Sequence, residues 1–84
     1  GFTRSLALEL APHGSTVNCV APGFTETEML EVVRDDVKEA IRADIPLDRF
    51  AAPEEVAATV GFLAAPRSSY VTGEIVNVNG GMYA

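Results

Sequence analysis

The sequence predicts an α/β fold in which parallel strands are joined by helices, and three observations predict it. A mostly apolar strand pattern, Thr16 to Ala21, runs into a Pro22-Gly23 break and a threonine-rich stretch, Thr25 to Thr27. A second strand pattern, Glu74 to Asn79, runs into Gly80-Gly81. Two amphipathic helical patterns lie between them, which is the kind of crossover two parallel strands require. The expected order is helix, strand, helix, helix, strand.

Each element has a local reason. Phe2, Leu6 and Leu10 fall at i, i+4 and i+8 with Ala7 beside them, one face of a helix over residues 2–11. Pro12-His13-Gly14 ends it, since Pro cannot continue a helix and Gly supplies the reversal. In the first strand Val17, Cys19 and Ala21 alternate with Thr16, Asn18 and Val20, and both faces are fairly apolar, as in a strand covered on both sides. Thr25 and Glu28 have capping-box spacing ahead of a helix whose stripe is Leu30, Val33, Val37 and Ile41. Asp44-Ile45-Pro46 closes that helix, and Leu47 to Ala52 is a connecting loop. Pro53 suits the first position of the next helix, and Glu54 and Glu55 suit the positive end of its dipole. Val56, Val60 and Leu63 face inward there, with Ala57 and Ala64 permitting close approach. Pro66 ends it.

Two parallel strands alone leave unpaired edges and apolar faces in water. The strands that would cover them are expected upstream of Gly1, where the helical pattern is already under way.

The 84 residues allow one small domain at most. Hydrophobic content of 48% and charged content of 21% fit a globular chain rather than a disordered one. The net charge is −6, from 12 acidic and 6 basic residues, and nothing in the sequence resembles a basic stripe, so no nucleic-acid partner is expected. No apolar run reaches the roughly 18 residues of a membrane span. A single cysteine, Cys19, makes no internal disulfide, and with one histidine it is no metal set. A reducing, cytoplasmic compartment is the expectation.

Read residue by residue, the candidates are modest. Pro22-Gly23 alone is a turn, and Thr25 and Thr27 alone are helix caps. Asn18 is expected to bond backbone in its strand or a neighbouring loop. Cys19 is expected to be a small buried apolar residue, and His13 a solvated turn residue. Glu26, Glu28 and Glu31 cluster where a helix dipole favours acids. Met29 and Leu30 could border a substrate or belong to the core. The whole stretch Thr16 to Met29 nonetheless has the form by which an open α/β sheet builds a ligand crevice. The chain leaves a parallel strand, turns sharply and enters a helix.

Four segments carry a resemblance. GFTRSLALEL, then VNCVAPG with Thr27, then RFAAPEEVAATVGFLAAP, then YVTGEIVNVNGG stand in the order and spacing of the short-chain dehydrogenase/reductase family, which the chain resembles over all 84 residues. The resemblance implies a doubly wound, Rossmann-like parallel sheet. Residues 1–84 would be the C-terminal third of a single domain of roughly 250 residues. The glycine-rich phosphate loop and the catalytic Ser, Tyr and Lys would lie upstream, so no residue here is a catalytic candidate. What carries over is the nicotinamide end of the cofactor site, at Pro22, Gly23, Phe24, Thr25 and Thr27. Backbone groups there would bond the carboxamide with help from a threonine hydroxyl. Position 25, often aliphatic in the family, is Thr here.

Within the family, PGFTETEM, the PEE helix and VNVNGGMYA look like the 3-oxoacyl-acyl-carrier-protein reductases. Acetoacetyl-coenzyme A reductases are similar, and VVRDDVKEAIRADIPLDRF leans their way; other short-chain alcohol or ketone dehydrogenases stay open. The implied activity reduces a 3-ketoacyl thioester, on acyl carrier protein or coenzyme A, to the 3-hydroxyacyl thioester. The implied cofactor is NADP, with NAD possible, and the implied assembly is a homotetramer. The 84 residues alone are expected to be inactive. A reading of another class makes them a non-catalytic docking or oligomerisation element, with Phe2 and Met82-Tyr83 as its contacts. A self-contained binder is disfavoured, because its strands would lack partners to offset the entropy of ordering.

Overall fold

In a computed structural model that describes residues 1–27 and 31–83, the elements follow the expected order. Helix α1 (Phe2–Leu10) continues into a 3-10 turn, Ala11–His13, which Gly14 ends in the left-handed region at φ 75°. The buried residue of α1 is Ala7, which lies against Gly73, while Phe2 is exposed. The inward side is thus centred one position from the Phe2–Leu6–Leu10 stripe.

Strand β1 (Cys19–Pro22) pairs in parallel with β2 (Ile75–Val78), with Cys19 opposite Ile75 and Pro22 opposite Val78. Both strands are shorter than the sequence patterns. The first starts at Cys19 rather than Thr16, because residues 16–18 are bonded by a loop instead of a ladder. Val17 donates its N–H to Thr72 Oγ1 at 3.0 Å and accepts from the Gly73 N–H at 2.8 Å. The Asn18 amide donates to the Val71 carbonyl at 3.0 Å and accepts from the Glu74 N–H at 3.1 Å. One side chain therefore closes both ends of the Val71–Glu74 loop and sets the start of the ladder. Asn18→Ala leaves both backbone groups without that partner, and a loss of about 1–2 kcal/mol in unfolding free energy is expected. Denaturant melts of the two proteins check it.

Pro22 is tolerated in β1 because of phase. Cys19 and Gly23 donate to β2, to the carbonyls of Glu74 at 2.9 Å and Val78 at 2.8 Å. Pro22 is on the alternate phase, so its missing N–H is on the side away from β2. Cys19 is half-buried rather than fully buried, consistent with a strand in a two-stranded sheet.

The helix expected between the Thr25 cap and Asp44 is not continuous. The Glu31 N–H donates to the Thr27 carbonyl at 3.2 Å, Val32 to Arg34 leave helical geometry, and α2 begins afresh (Asp35–Ala43). The adjacent β-branched Val32 and Val33 disfavour a helix running through them. Asp35 and Asp36 favour a new N-terminus through the dipole, and the Arg34 guanidinium holds the Asp36 carboxylate at 3.1–3.2 Å. Glu28, Met29 and Leu30, with the capping box and the stripe position they were read into, lie outside the described residues. Beyond α2, Ile45 is buried, and the Leu47 N–H donates to the Gly80 carbonyl at 3.0 Å.

Helix α3 (Pro53–Ala64) starts at Pro53 as read, and packs on both strands. Its inward stripe is Val56, Thr59 and Leu63; Val60, Ala57 and Ala64 are exposed, contrary to the sequence reading. Thr59 is accommodated by donating its hydroxyl back to the Glu55 carbonyl at 3.4 Å. A second 3-10 turn (Pro66–Ser68) follows, with buried Ser68 donating to the Phe62 carbonyl. The radius of gyration is 15.7 Å, against about 12 Å for a compact chain of this length. Phe62, Tyr70 and Ile75 are all largely exposed. Among the described residues no helix is long and apolar enough to cross a membrane.

Candidate functional site

The candidate site is the corner where β1 ends. Gly23 passes so close to the exit of β2 that an added Cβ would stand 2.9 Å from both Cα and Cβ of Asn79. Glycine at that position is a steric requirement rather than a turn preference. The next residues do not simply coil. The Phe24 carbonyl accepts from the Ala51 N–H at 3.1 Å, and the Glu26 N–H donates to the Ala51 carbonyl at 2.8 Å. This makes a parallel bridge between Thr25 and Ala51. In such a bridge Thr25's own N–H and C=O point away from Ala51. Neither has a hydrogen-bond partner among the described residues.

Beside the corner is a cleft of about 460 Å³, lined by Phe24, Leu47, Arg49, Ala51, Glu55 and the Asn79–Gly81 turn among others. Of the five sequence-predicted residues, Phe24 lines it. Gly23 forms the crossing behind it, Pro22 closes the strand, and half-buried Thr25 presents its backbone on the other side of the bridge. Thr27, two residues beyond Thr25, is exposed. The corner thus brings residues 22–25 together, while the cleft is built by residues the sequence reading did not select. Arg49, Ala51 and Glu55 stand in the RFAAPEEVAATVGFLAAP segment of the resemblance but were given no site role; Ala51's part is played by backbone alone, and Glu55 was read as a dipole contribution.

Arg49 and Glu55 form a two-pronged ion pair, Nη1 to Oε1 at 2.6 Å and Nη2 to Oε2 at 2.9 Å, and Glu55 Oε1 also accepts from the Ala52 N–H at 2.9 Å. The Arg49 fork and then the Ala52 N–H hold the Glu55 carboxyl down at about 2. A folded-state value below the ordinary 4.5 stabilises the fold above pH 4.5, and this contribution fades as pH falls towards about 2. The pair is solvent-exposed, so the effect is screened and small. Melting temperatures of Glu55→Gln and the unaltered protein should therefore differ most near neutrality and converge as pH falls through that window.

The other sequence candidates separate from the corner. His13 lies in the exposed turn after α1, and Glu26 and Glu31 are exposed. Among the described residues no three His, Cys, Asp or Glu side chains gather as a metal would need.

Comparison with known proteins gives a consistent result. The family model described as enoyl-(acyl carrier protein) reductase matches residues 1–83. The 3-oxoacyl-acyl-carrier-protein reductase FabG of Aquifex aeolicus (strain VF5) is 54% identical over 83 residues, covering 99% of this chain and 34% of that protein. The FabG proteins of Vibrio cholerae serotype O1 and Escherichia coli K12 are 51% and 49% identical over the same coverage. The chain spans about a third of the length of these relatives. A match over nearly the whole chain, on a parallel α/β frame with its Pro-Gly corner at the strand end, identifies this chain as a member of the short-chain dehydrogenase/reductase family.

Proposed function

We propose that these residues are the C-terminal third of an NAD(P)-dependent reductase that converts a 3-ketoacyl thioester to the 3-hydroxyacyl thioester, as the 3-oxoacyl-acyl-carrier-protein reductases do. The observation that carries this reading is the 49–54% identity to proteins of that name over 83 residues. The corner supports it physically. A nicotinamide carboxamide offers one acceptor and one donor group, and Thr25 turns one N–H and one C=O outward to meet them. Gly23 lets the backbone come close, and Thr27 adds a hydroxyl two residues after Thr25. When bound, NADPH supplies the hydride; the residues here hold the ring in one orientation and do no proton chemistry. Proton transfer belongs to the upstream Ser, Tyr and Lys of the resemblance, and the 84 residues alone are inactive in this reading.

Carrier, acyl length and the choice of NADPH over NADH fall to residues outside this stretch; acetoacetyl-coenzyme A reduction is the neighbouring reading. We propose a homotetramer as the working form, supported by the exposure of Phe2 and Tyr83, 80% and 82%, at two ends of the chain. The single cysteine supports a reducing, cytoplasmic setting. The test is the intact protein with NADPH and acetoacetyl thioester on coenzyme A or acyl carrier protein, followed by loss of nicotinamide absorbance. Turnover with the thioester is expected, and no turnover with any ketone overturns the reading. Light scattering on the same protein reads the assembly.

A further inference from the structure

We propose that Arg49 and Glu55 are positioning residues for the nicotinamide corner, acting on it through the backbone of Ala51. The inference rests on the reading of that corner given above, and it adds residues on the Ala51 side of the bridge, away from Thr25's outward N–H and C=O.

The geometry has three links. The Glu55 carboxylate receives three N–H bonds, two from the Arg49 fork at 2.6 and 2.9 Å and one from the Ala52 backbone at 2.9 Å. Arg49 Nη1 also donates to the Phe50 carbonyl at 3.4 Å. One carboxylate therefore fastens the chain on both sides of Ala51. Ala51 in turn bonds the Phe24 carbonyl and the Glu26 N–H, and Thr25 sits between those two bonds. Among the described residues these are the backbone bonds that hold 24–26 in place. A rotation of the 49–52 connector would carry Thr25's outward N–H and C=O with it.

The anchor itself is firm, because Glu55 lies in the first turn of α3, which packs on both strands. The planar fork matters here, since two parallel N–H bonds fix an angle that a single ammonium contact does not. An ordinary exposed ion pair contributes little. This one differs in closing a backbone loop whose central residue is the corner's support.

The test uses the intact protein and the variants Glu55→Gln, Arg49→Lys and Arg49→Ala. Dissociation constants are measured for NADPH and NADH, and for 2′-phospho-ADP-ribose and ADP-ribose, which lack the nicotinamide. The expected result is up to about fivefold weaker binding of the complete dinucleotides, the size an exposed pair can transmit, with the truncated probes unchanged. Arg49→Lys should show the same selectivity and is the variant to rely on should Arg49→Ala fold poorly. Unchanged dinucleotide binding overturns the proposal, and so does an equal loss for both kinds of probe, which would mark a general structural role. Should the unaltered protein bind no dinucleotide, it is the corner's assignment that fails. The clamp is then read by amide hydrogen exchange at Ala51 and Glu26: faster exchange in Glu55→Gln supports it, and equal exchange overturns it.

Discussion

Gly23→Ala is expected to open the corner between the two strands and to abolish tight nicotinamide-nucleotide binding by the intact protein. The added methyl would sit 2.9 Å from Asn79 Cα and Cβ, closer than carbon atoms tolerate. One of those neighbours is backbone at the exit of β2, so it cannot swing aside as the tip of a flexible side chain could. The strands must move apart at Val78, where Gly23 donates its N–H at 2.8 Å, or the Phe24–Glu26 segment must leave Ala51. Overpacking of this kind costs about 1–3 kcal/mol. The functional loss should exceed what that destabilisation alone would cause, because both escapes displace Thr25. Gly61→Ala is the matched control. Gly61 lies in α3 with nothing within 4 Å of an added Cβ, so the same chemical change should stabilise by about 0.5–1 kcal/mol. Thermal melts and NADPH titrations on both variants decide the matter, and an unaltered melting temperature and affinity in Gly23→Ala would refute it.

Gly80→Ala should be the more destabilising change, with a smaller direct effect on the corner. Gly80 has φ of 64°, a conformation that costs an L-residue about 1–2 kcal/mol. Its added Cβ would also lie 2.8 Å from Ile45 Cγ2, and Ile45 is one of the few buried side chains here. Overpacking adds about 1–3 kcal/mol, for a combined loss of about 2–5 kcal/mol. The Leu47 N–H bond to the Gly80 carbonyl ties the same turn to the loop after α2, so the strain has no free side to relax into. The steric part can be isolated. In Gly80→Ala combined with Ile45→Ala the clash is gone while the backbone cost stays, so the two losses should be clearly less than additive. Additive losses in urea melts would refute the contact.

The parts of the fold that sequence made legible are those with local causes. Pro53 with Glu54 and Glu55 announces α3, and the Pro12–Gly14 terminator announces the end of α1. The alternation around Cys19 announces a strand, and its parallel pairing follows from the helices in between. The failures have non-local causes. The stripe Val33, Val37, Ile41 continues through Arg34 as if one helix ran past it, because periodicity does not register the new N-terminus that Asp35 and Asp36 favour. The strand start moved from Thr16 to Cys19 because Asn18 and Thr72 replace ladder bonds with side-chain bonds, which no spacing rule anticipates. The crowding by Asn79 that requires glycine at position 23 left no mark on the sequence, and Pro22 to Thr27 were singled out through the family resemblance alone. Ala51 was not, since a backbone partner far along the chain leaves no trace in its own residue type.

The placement of Pro22 also says something about what may lie along the other edge of β1. A third strand laid there could zip to Val20, whose N–H and C=O face that way, but it would find no donor at Pro22. The seam would come unfastened one residue before the glycine crossing. That edge would lack one rung of its ladder beside the corner where Thr25 turns its backbone groups away from Ala51.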